Sequence, residues 1–490
     1  MAPHFLRNLV RNKEQRQRTV SLFRTLRSLT GIQWAQFFVG WLAWTCDSID
    51  LYSLSFVAGN QGQYIAKEFK KTPQQVNSAI TVTLLLRPIG ALLFGILSDR
   101  YGRKWPLVCN LFLLSAFQLC TGFVREFDQF NVVRSASAIA MGGIWGVSTS
   151  NVLENLPIDA RGFASGVLQQ GSAAGYVISA VISMFLVPKV KAGWRSLYWI
   201  GFAISFVAAC LRAILPESES FASTKAAEQA RGIEGSKKTK EFWKEIKKVL
   251  KWRWLLCVYA VVLMASFGFL MSASQDMYFL FLVKNKELET GPALFMTIFG
   301  SIGATLGSPS TGNLSQRFGR RIAMIVTIVL LAAFVPISLK GTSFFLISNG
   351  AFGVQQAVQG AMGVIPIYLA EISPPALRAT FPGVAYQMGN IISSVTPTIQ
   401  AFGAEHLTTK IIVKNSPVVV PDYSTLQAIF ISVGAVLLIL VILIGPERHG
   451  LEFEKQNVVN RPMSIIVEIP GPHSYNEDIE LEKGIYDTST

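Results

Sequence analysis

The chain is short of charge and short of histidine. Lys, Arg, Asp and Glu make up only 15% of its 490 residues, against about a quarter in a soluble protein. That shortage excludes a cytosolic enzyme of ordinary build. It excludes intrinsic disorder as well, which needs low hydrophobicity and high charge. Cysteine is scarce: Cys46, Cys109, Cys120, Cys210 and Cys257 are odd in number and fall inside apolar stretches. They show no metal-ligand spacing and read as small buried apolar residues, so no metal or cofactor is expected. No nucleophile–base arrangement stands out, and an enzyme is not expected. The first ~30 residues are polar and basic and lack the apolar core of a cleavable signal peptide.

What the chain has in excess is apolar surface. Hydrophobic residues are 51% of the total, with 33 Phe and 10 Trp, and the mean hydropathy is +0.40. A membrane-crossing helix needs about 20 mostly apolar residues. About twelve such stretches occur: 34–58, 75–97, 105–124, 131–152, 163–187, 196–215, 254–282, 291–312, 322–339, 343–369, 379–402 and 425–445. The expected fold is an all-α membrane protein of twelve transmembrane helices in two six-helix repeats. The net charge of +14 gathers in the N-terminal arm, in Arg100, Arg103, Lys104, Arg161, Arg317, Arg320, Arg321 and Arg378, and in the lysines of the loop 217–253. Basic residues mark cytoplasmic loops. The chain therefore divides into a cytoplasmic tail 1–33, a half 34–216, a cytoplasmic loop 217–253, a half 254–446 and a cytoplasmic tail 447–490. This describes a multi-pass protein of the cell membrane with both termini inside. The positive charge is then no nucleic-acid footprint. Lys189, Lys191 and Arg195 run against the rule. Segment 239–251, with Phe242, Ile246 and Leu250 at helical spacing, fits either an amphipathic helix on anionic lipid or a solvated linker.

A repeat with constant offset runs through the chain. Gly95, Arg100, Gly102 and Arg103 recur 217 residues later as Gly312, Arg317, Gly319 and Arg320. At the same offset of 217, Gly143 and Gly146 recur as Gly360 and Gly363. So do Glu154, Pro157, Arg161, Gly166 and Gln170, as Glu371, Pro374, Arg378, Gly383 and Gln387. Two six-helix halves in the same orientation follow, as a parallel repeat requires. In the second copy Gln316 replaces Asp99. Glu154/Arg161 and Glu371/Arg378 are placed to bridge loop and helix ends. With Asp99, Arg100, Arg103, Arg317 and Arg320 they form a candidate gate, or else a static anchor at the interface.

Charges inside a span are costly and mark functional candidates. Asp47 and Asp50 share a face of span 1, Arg87 lies in the middle of span 2, Arg134 begins span 4 and Asp276 lies in span 7. The four histidines (His4, His406, His449 and His473) fall outside the spans, so a proton relay would use carboxylates. Arg87 suits a substrate carboxylate, which matches its planar fork, or a structural ion pair with Asp47 or Asp50. Gly268, Ser272 and Asp276 step by four along span 7, with Ser274 and Gln275 beside them. Gln387 and Asn390 share a face of span 11 and can orient a polar ligand or glue helices together. Arg87, Ser272, Ser274, Gln275, Gln387 and Asn390 are the candidate substrate contacts. Asp47, Asp50, Arg134 and Asp276 are the candidate proton-coupling groups.

With these motifs the chain resembles the major facilitator superfamily over about 34–445. The residues that carry the likeness are the D-R-x-G-R-K turn at 99–104, its echo, and the half-ending motifs L-P-E-S-E (215–219) and G-P-E-R (445–448). The S-x-S-Q-D run of span 7, the Arg of span 2, Q-x-G-N in span 11 and C-D-S-I-D-L-Y (46–52) are similar to the fungal Jen-type carboxylate permeases of the sialate:proton symporter branch. Against that group's signature N-x-x-[S/T]-H-x-[S/T]-Q-D-x-x-x-T, Ser274, Gln275 and Asp276 match. Gly268, Met271, Ser272 and Leu280 stand where Asn, a hydroxyl residue, His and Thr would be, and Gly268 is expected to leave room for a larger acid. The resemblance implies a monomeric plasma-membrane transporter of a small organic anion, with a proton as co-substrate and membrane lipid as its surroundings. A sugar or sialic-acid porter, a metabolite exporter and a non-transporting sensor remain alternatives.

Overall fold

The computed structural model describes residues 21–58, 64–218, 221, 235–413 and 416–449. Both distal tails, including 450–490 and His4 and His473, lie outside the described residues. A short helix, Leu22–Arg27, precedes span 1, Gly31–Ala58. Span 2 is Pro73–Tyr101, opened by a Thr72 capping box, span 3 Lys104–Phe123 and span 4 Phe127–Glu154. Span 5 is assembled from Ile158–Gln169, Gly171–Val181 and a π-helical end Ile182–Leu186, and span 6 is Arg195–Ile214. After a linker helix, Gly235–Trp252, span 7 runs as Trp254–Gln275 and Tyr278–Lys284. Spans 8 and 9 are Thr290–Phe318 and Arg320–Lys340. Span 10 is Phe344–Met362 plus Ile365–Ile372, span 11 Thr380–Ser393 plus Thr396–His406, and span 12 Tyr423–Ile444. The resumed segments of spans 10 and 11 carry a proline at N1 or N2, where its missing N–H costs nothing.

Two features were not expected from the sequence. An antiparallel hairpin, β1 (Thr408–Val413) with β2 (Ser416–Pro421), joins spans 11 and 12. His406, expected outside the spans, closes the last turn of span 11 and meets the Phe402 carbonyl at 2.9 Å.

The molecule is apolar on its outside. Leu85, Ile89, Leu92 and Leu93 on span 2, Val326, Val329 and Leu330 on span 9, and Val433, Val436, Leu437 and Leu440 on span 12 are all exposed. A patch of this extent needs an apolar solvent. Among the described residues, spans 2, 3, 6, 7, 9 and 12 are long and apolar enough to cross a membrane on composition alone. The remaining spans are broken, or carry small and polar residues toward the middle of the bundle.

Packing follows the repeat. Span 1 packs on spans 4, 5 and 6, span 2 on 4, and span 3 on 4 and 6. In the second half, span 7 packs on spans 10, 11 and 12, span 8 on 10, and span 9 on 10 and 12. The halves meet where span 2 crosses 11 and span 5 crosses 8. These crossings gather at one end, next to the two G-R-[KR] turns, called here the basic end. The repeated glycines are spent on this approach. A Cβ on Gly146 would lie 2.6 Å from the Ala379 carbonyl oxygen, and one on Gly162 would lie 2.5 Å from that of Gly312. Toward the other end, the segments Gly171–Val181, Tyr278–Lys284 and Thr396–His406 pack chiefly within their own halves.

Both basic-end turns use glycine for its left-handed freedom. Gly102 has φ 113° and Gly319 φ 106°, a region that side chains avoid. The half-ending motifs then cap the next helix. Glu217 accepts from the Arg103 and Lys104 amides at 3.0 and 3.1 Å, and Glu447 from the Arg320 and Arg321 amides at 3.0 and 3.1 Å. At the opposite end, Arg195 is not a stray charge. It forks onto Glu68 at 2.7 and 3.0 Å and donates to the Val124 carbonyl at 2.8 Å. The Arg195 guanidinium holds the Glu68 carboxyl below the usual carboxylate range.

Gly146→Val should wedge the halves apart at the basic end. In a cysteine-depleted background, a reporter cysteine at buried Ser165 should then react severalfold faster with a maleimide. An unchanged labelling rate would refute the close approach.

Candidate functional site

Among the described residues, two of the buried ion pairs of the first half hang on span 1, and they differ in geometry. Arg134 meets Asp50 fork to fork: Nη1 donates to Oδ1 at 2.9 Å and Nη2 to Oδ2 at 2.7 Å. Both side chains are at most 1% exposed. Tyr198 covers the guanidinium at 5.4 Å from its ring centre, and the Ser137 hydroxyl adds a contact to Asp50 at 3.4 Å. Arg134 does not begin span 4, as expected, but lies well inside a helix that starts at Phe127. Arg87 is 2% exposed and holds Asp47 through one nitrogen only, Nη2 bridging both carboxylate oxygens at 3.0 Å. Its Nε has no partner among the described residues. Asp47 and Asp50 share a helix but serve different spans, 2 and 4.

The second half supplies the polar groups that face Arg87. Tyr386 of span 11 is an electrostatic neighbour of Arg87, Asp47 and Tyr52, and its hydroxyl lies beside Asn390. Tyr52 of span 1 counts Arg87 and Asp276 among its charged neighbours and meets Ser172 and Tyr176 of span 5. Asp276 is exposed among the described residues and neighbours Ser272. It stands at the break of span 7, in the turn after Gln275, rather than within a continuous helix. Tyr386 stacks on Trp145 of span 4 at 4.4 Å between ring centres, and Trp44 meets its edge at 5.8 Å. The aromatic cluster therefore joins the two halves. Gln387 also crosses, donating to the Gly142 carbonyl at 3.4 Å, with Asn390 behind it at 3.5 Å.

Three expectations for span 7 are corrected. Ser274 is buried, and its hydroxyl bonds back to the Met271 carbonyl at 2.9 Å. Its own carbonyl accepts from Gln427 at 3.2 Å, so Ser274 is packed into the second half rather than turned toward Arg87. Gln275 is held by Gln355 of span 10 at 2.9 Å. Gly268 opens no extra room: a Cβ there would run into the Ser393 hydroxyl of span 11. The residues overlooked in the sequence are Tyr52, Tyr386, Trp44 and Trp145. Tyr52 and Tyr386 lie inside the very runs singled out for their charges and amides.

The basic end holds the expected charges in different pairs. Glu154 pairs with Arg103 at 2.9 and 3.1 Å, and Glu371 with Arg320 at 2.9 and 3.1 Å. The pairing proposed within Glu154/Arg161 and within Glu371/Arg378 is replaced by this one. Arg161 instead lies nearest in charge to Glu371, and Arg378 to Glu154, so each faces the other half. Asp99 binds Arg103 at 2.7 Å. It also accepts from the Ala379 and Thr380 amides at 2.9 Å, capping span 11 across the interface. Arg100 lies over the Tyr101 ring at 5.2 Å, and Arg317 is exposed.

Arg134→Ala should lower unfolding stability by about 3–5 kcal/mol, the cost of stranding a buried partner. Replacing Arg134 and Asp50 together by Leu should recover most of that loss. Thermal unfolding in detergent measures both, and a double variant no more stable than the single would contradict a fixed pair.

Comparison with known proteins agrees with this architecture. The family model of the Major Facilitator Superfamily matches residues 37–397. The "Carboxylic acid transporter protein homolog" of Saccharomyces cerevisiae is 27% identical over 433 residues, covering 86% of this chain and 70% of that protein. The "Probable 4-methylmuconolactone transporter" of Cupriavidus pinatubonensis is 25% identical over 369 residues, covering 73% and 81%. The solved structure of the proton:xylose symporter XylE bound to 6-bromo-6-deoxy-D-glucose has the same fold. Its TM-score is 0.66 at 17% identity, over 87% of this chain and 98% of that one. The chain belongs to the major facilitator superfamily: it is a multi-pass membrane transporter of twelve transmembrane helices, and not an enzyme.

Proposed function

We propose that this chain is a secondary active transporter that carries a small organic anion together with a proton across the plasma membrane by alternating access. The observation that carries the reading is the half-engaged guanidinium of Arg87. It spends one nitrogen on Asp47 and leaves Nε without a partner. A substrate carboxylate that takes Nη2 over from Asp47, with Nη1 or Nε beside it, gains the two-pronged contact that Asp47 does not make. A neutral sugar would have no use for it. The yeast relative, whose description names carboxylic acid transport, supports the same substrate class.

Roles follow from position. Arg87 anchors the anion, with Tyr386 and Asn390 across from it. Gln387 orders span 11 against span 4. Ser272 flanks the site from span 7. Asp276, and Asp47 when Arg87 turns to substrate, are the groups that take the proton. Asp50 and Arg134 form a fixed pair and are withdrawn from proton coupling. The basic end, with both tails and the loop 217–253, lies in the cytoplasm, as the positive-inside rule requires. With the halves joined at that end, the site faces outward. Asp99, Arg103, Glu154, Arg161, Arg320, Glu371 and Arg378 release one another when the site turns inward, and the working unit is a monomer.

Uptake of labelled organic acids by cells expressing the chain tests this reading. Uptake should rise as external pH falls from about 7 to about 5, because the inward proton gradient drives it. Arg87→Ala should abolish uptake, and Arg87→Lys should lose at least about tenfold with the two-pronged contact. Asp276→Asn should flatten the pH dependence. No anion uptake at any pH, with the protein confirmed at the surface, would refute the reading.

A further inference from the structure

We infer that the anion this site prefers carries an aromatic body, as in a benzoate-type acid, rather than a short aliphatic chain. The inference rests on the carboxylate reading above and extends it to the rest of the substrate. Beyond Arg87, span 1 presents Tyr52 and then Phe56, one turn further from the basic end. Tyr176 of span 5 lies between them. Its ring centre is 5.0 Å from that of Tyr52, edge on at 82°, and 5.6 Å from that of Phe56 at 38°. Tyr52 fixes the direction of this wall, because its charged neighbours are Arg87 and, from the opposite half, Asp276. Gly171, Gly175 and Ser179 seat span 5 against span 1, with a Cβ on Gly175 meeting Ser48 at 2.6 Å. Ser172 and Tyr176, on the adjoining face, are thereby turned to the Tyr52 side.

Tyr176 keeps 38% of its surface free even with both rings packed on it. The other side of Arg87 is aromatic too, because Tyr386 stacks on Trp145. A planar acid with its carboxylate on Arg87 would lay its ring along Tyr52, Tyr176 and Phe56. A three-carbon hydroxy acid would end near Tyr52 and leave Tyr176 and Phe56 wet. An added edge or offset-stacked aromatic contact contributes about 0.5–1.5 kcal/mol beyond the buried area, which is roughly a two- to tenfold preference per ring.

The test is uptake of labelled 3,4-dihydroxybenzoate and labelled lactate at one pH, by cells expressing the full chain. The wild type should favour the aromatic acid by at least about tenfold in uptake efficiency. Tyr176→Ala and Phe56→Ala should each lower the aromatic-to-lactate ratio several-fold, and Tyr176→Phe should keep it. A ratio that favours lactate, or alanine variants that reduce both acids in proportion, would overturn the inference and leave the carboxylate reading standing. Uptake of neither acid, nor of any other organic anion at any pH with the protein confirmed at the surface, would refute the carboxylate reading itself.

Discussion

A guanidinium cannot shed its charge, so every arginine placed inside an apolar bundle must be given an anion or a set of carbonyls. Ion desolvation costs several kcal/mol even after relaxation, more than most other local features of this fold contribute. The structure meets that demand in three ways. Arg103, Arg134 and Arg320 receive carboxylates in two-pronged contacts. Arg321 takes the terminal carbonyls of span 12, Ile442 and Leu443, and Arg212 takes the Pro216 carbonyl and the Asn151 amide oxygen. Arg87 alone among these is met by a carboxylate through a single nitrogen. On the proposed reading, the arginines in two-pronged or carbonyl contacts hold the architecture, and Arg87, met through a single nitrogen, is where an external anion gains most.

Comparing the halves position by position separates architecture from chemistry. Arg103 with Glu154 and Ser98 has its counterpart 217 residues on, in Arg320 with Glu371 and Ser315: the carboxylate contacts match at 3.1 Å, and the serine contact is 3.4 Å in the first and 2.8 Å in the second. These groups close the same turn twice. The charges near the centre have no such counterpart. Ala304 and Ala351 stand 217 residues after Arg87 and Arg134, and Met264 and Phe267 after Asp47 and Asp50. The first half supplies the cation and its anions. The second supplies Asp276, Tyr386 and Asn390, none of which repeats the first. An asymmetric ligand needs an asymmetric site, and the proposed site lies where the halves depart from the repeat.

The sequence carries the helices, the two halves and the list of buried charges, because the membrane fixes helix length and makes each charge conspicuous. It carries much less of the pairing. Glu154 and Arg161 are close in sequence and look like partners, yet the turn brings Arg103 to Glu154 and the interface brings Arg161 toward Glu371. Long-range docking decides such pairs, and a single sequence records none of it. Gly268 misleads for a related reason. The missing side chain can mean empty space or a close neighbour, and only the approach of Ser393 distinguishes them. The aromatic residues of the site were hidden by abundance: among 33 Phe, 12 Tyr and 10 Trp, neither Tyr52 nor Tyr386 is unusual until its neighbours are known.

The half-engaged arginine also bears on why a proton should travel with the anion. Arg87 and Asp47 together are neutral. A substrate carboxylate arriving at Arg87 leaves the group with one uncompensated negative charge. In a site closed to water that charge is expensive, so the loaded site resists closing unless a proton is taken up. Asp276 has no cation of its own among the described ion pairs, and Tyr52 counts both it and Arg87 among its charged neighbours. Protonating Asp276, or Asp47 once Arg87 has turned to the substrate, brings the loaded site back to the balance of the empty one. On the proposed reading, coupling needs no dedicated histidine relay. It follows from counting charges around one guanidinium that a single internal carboxylate only half satisfies.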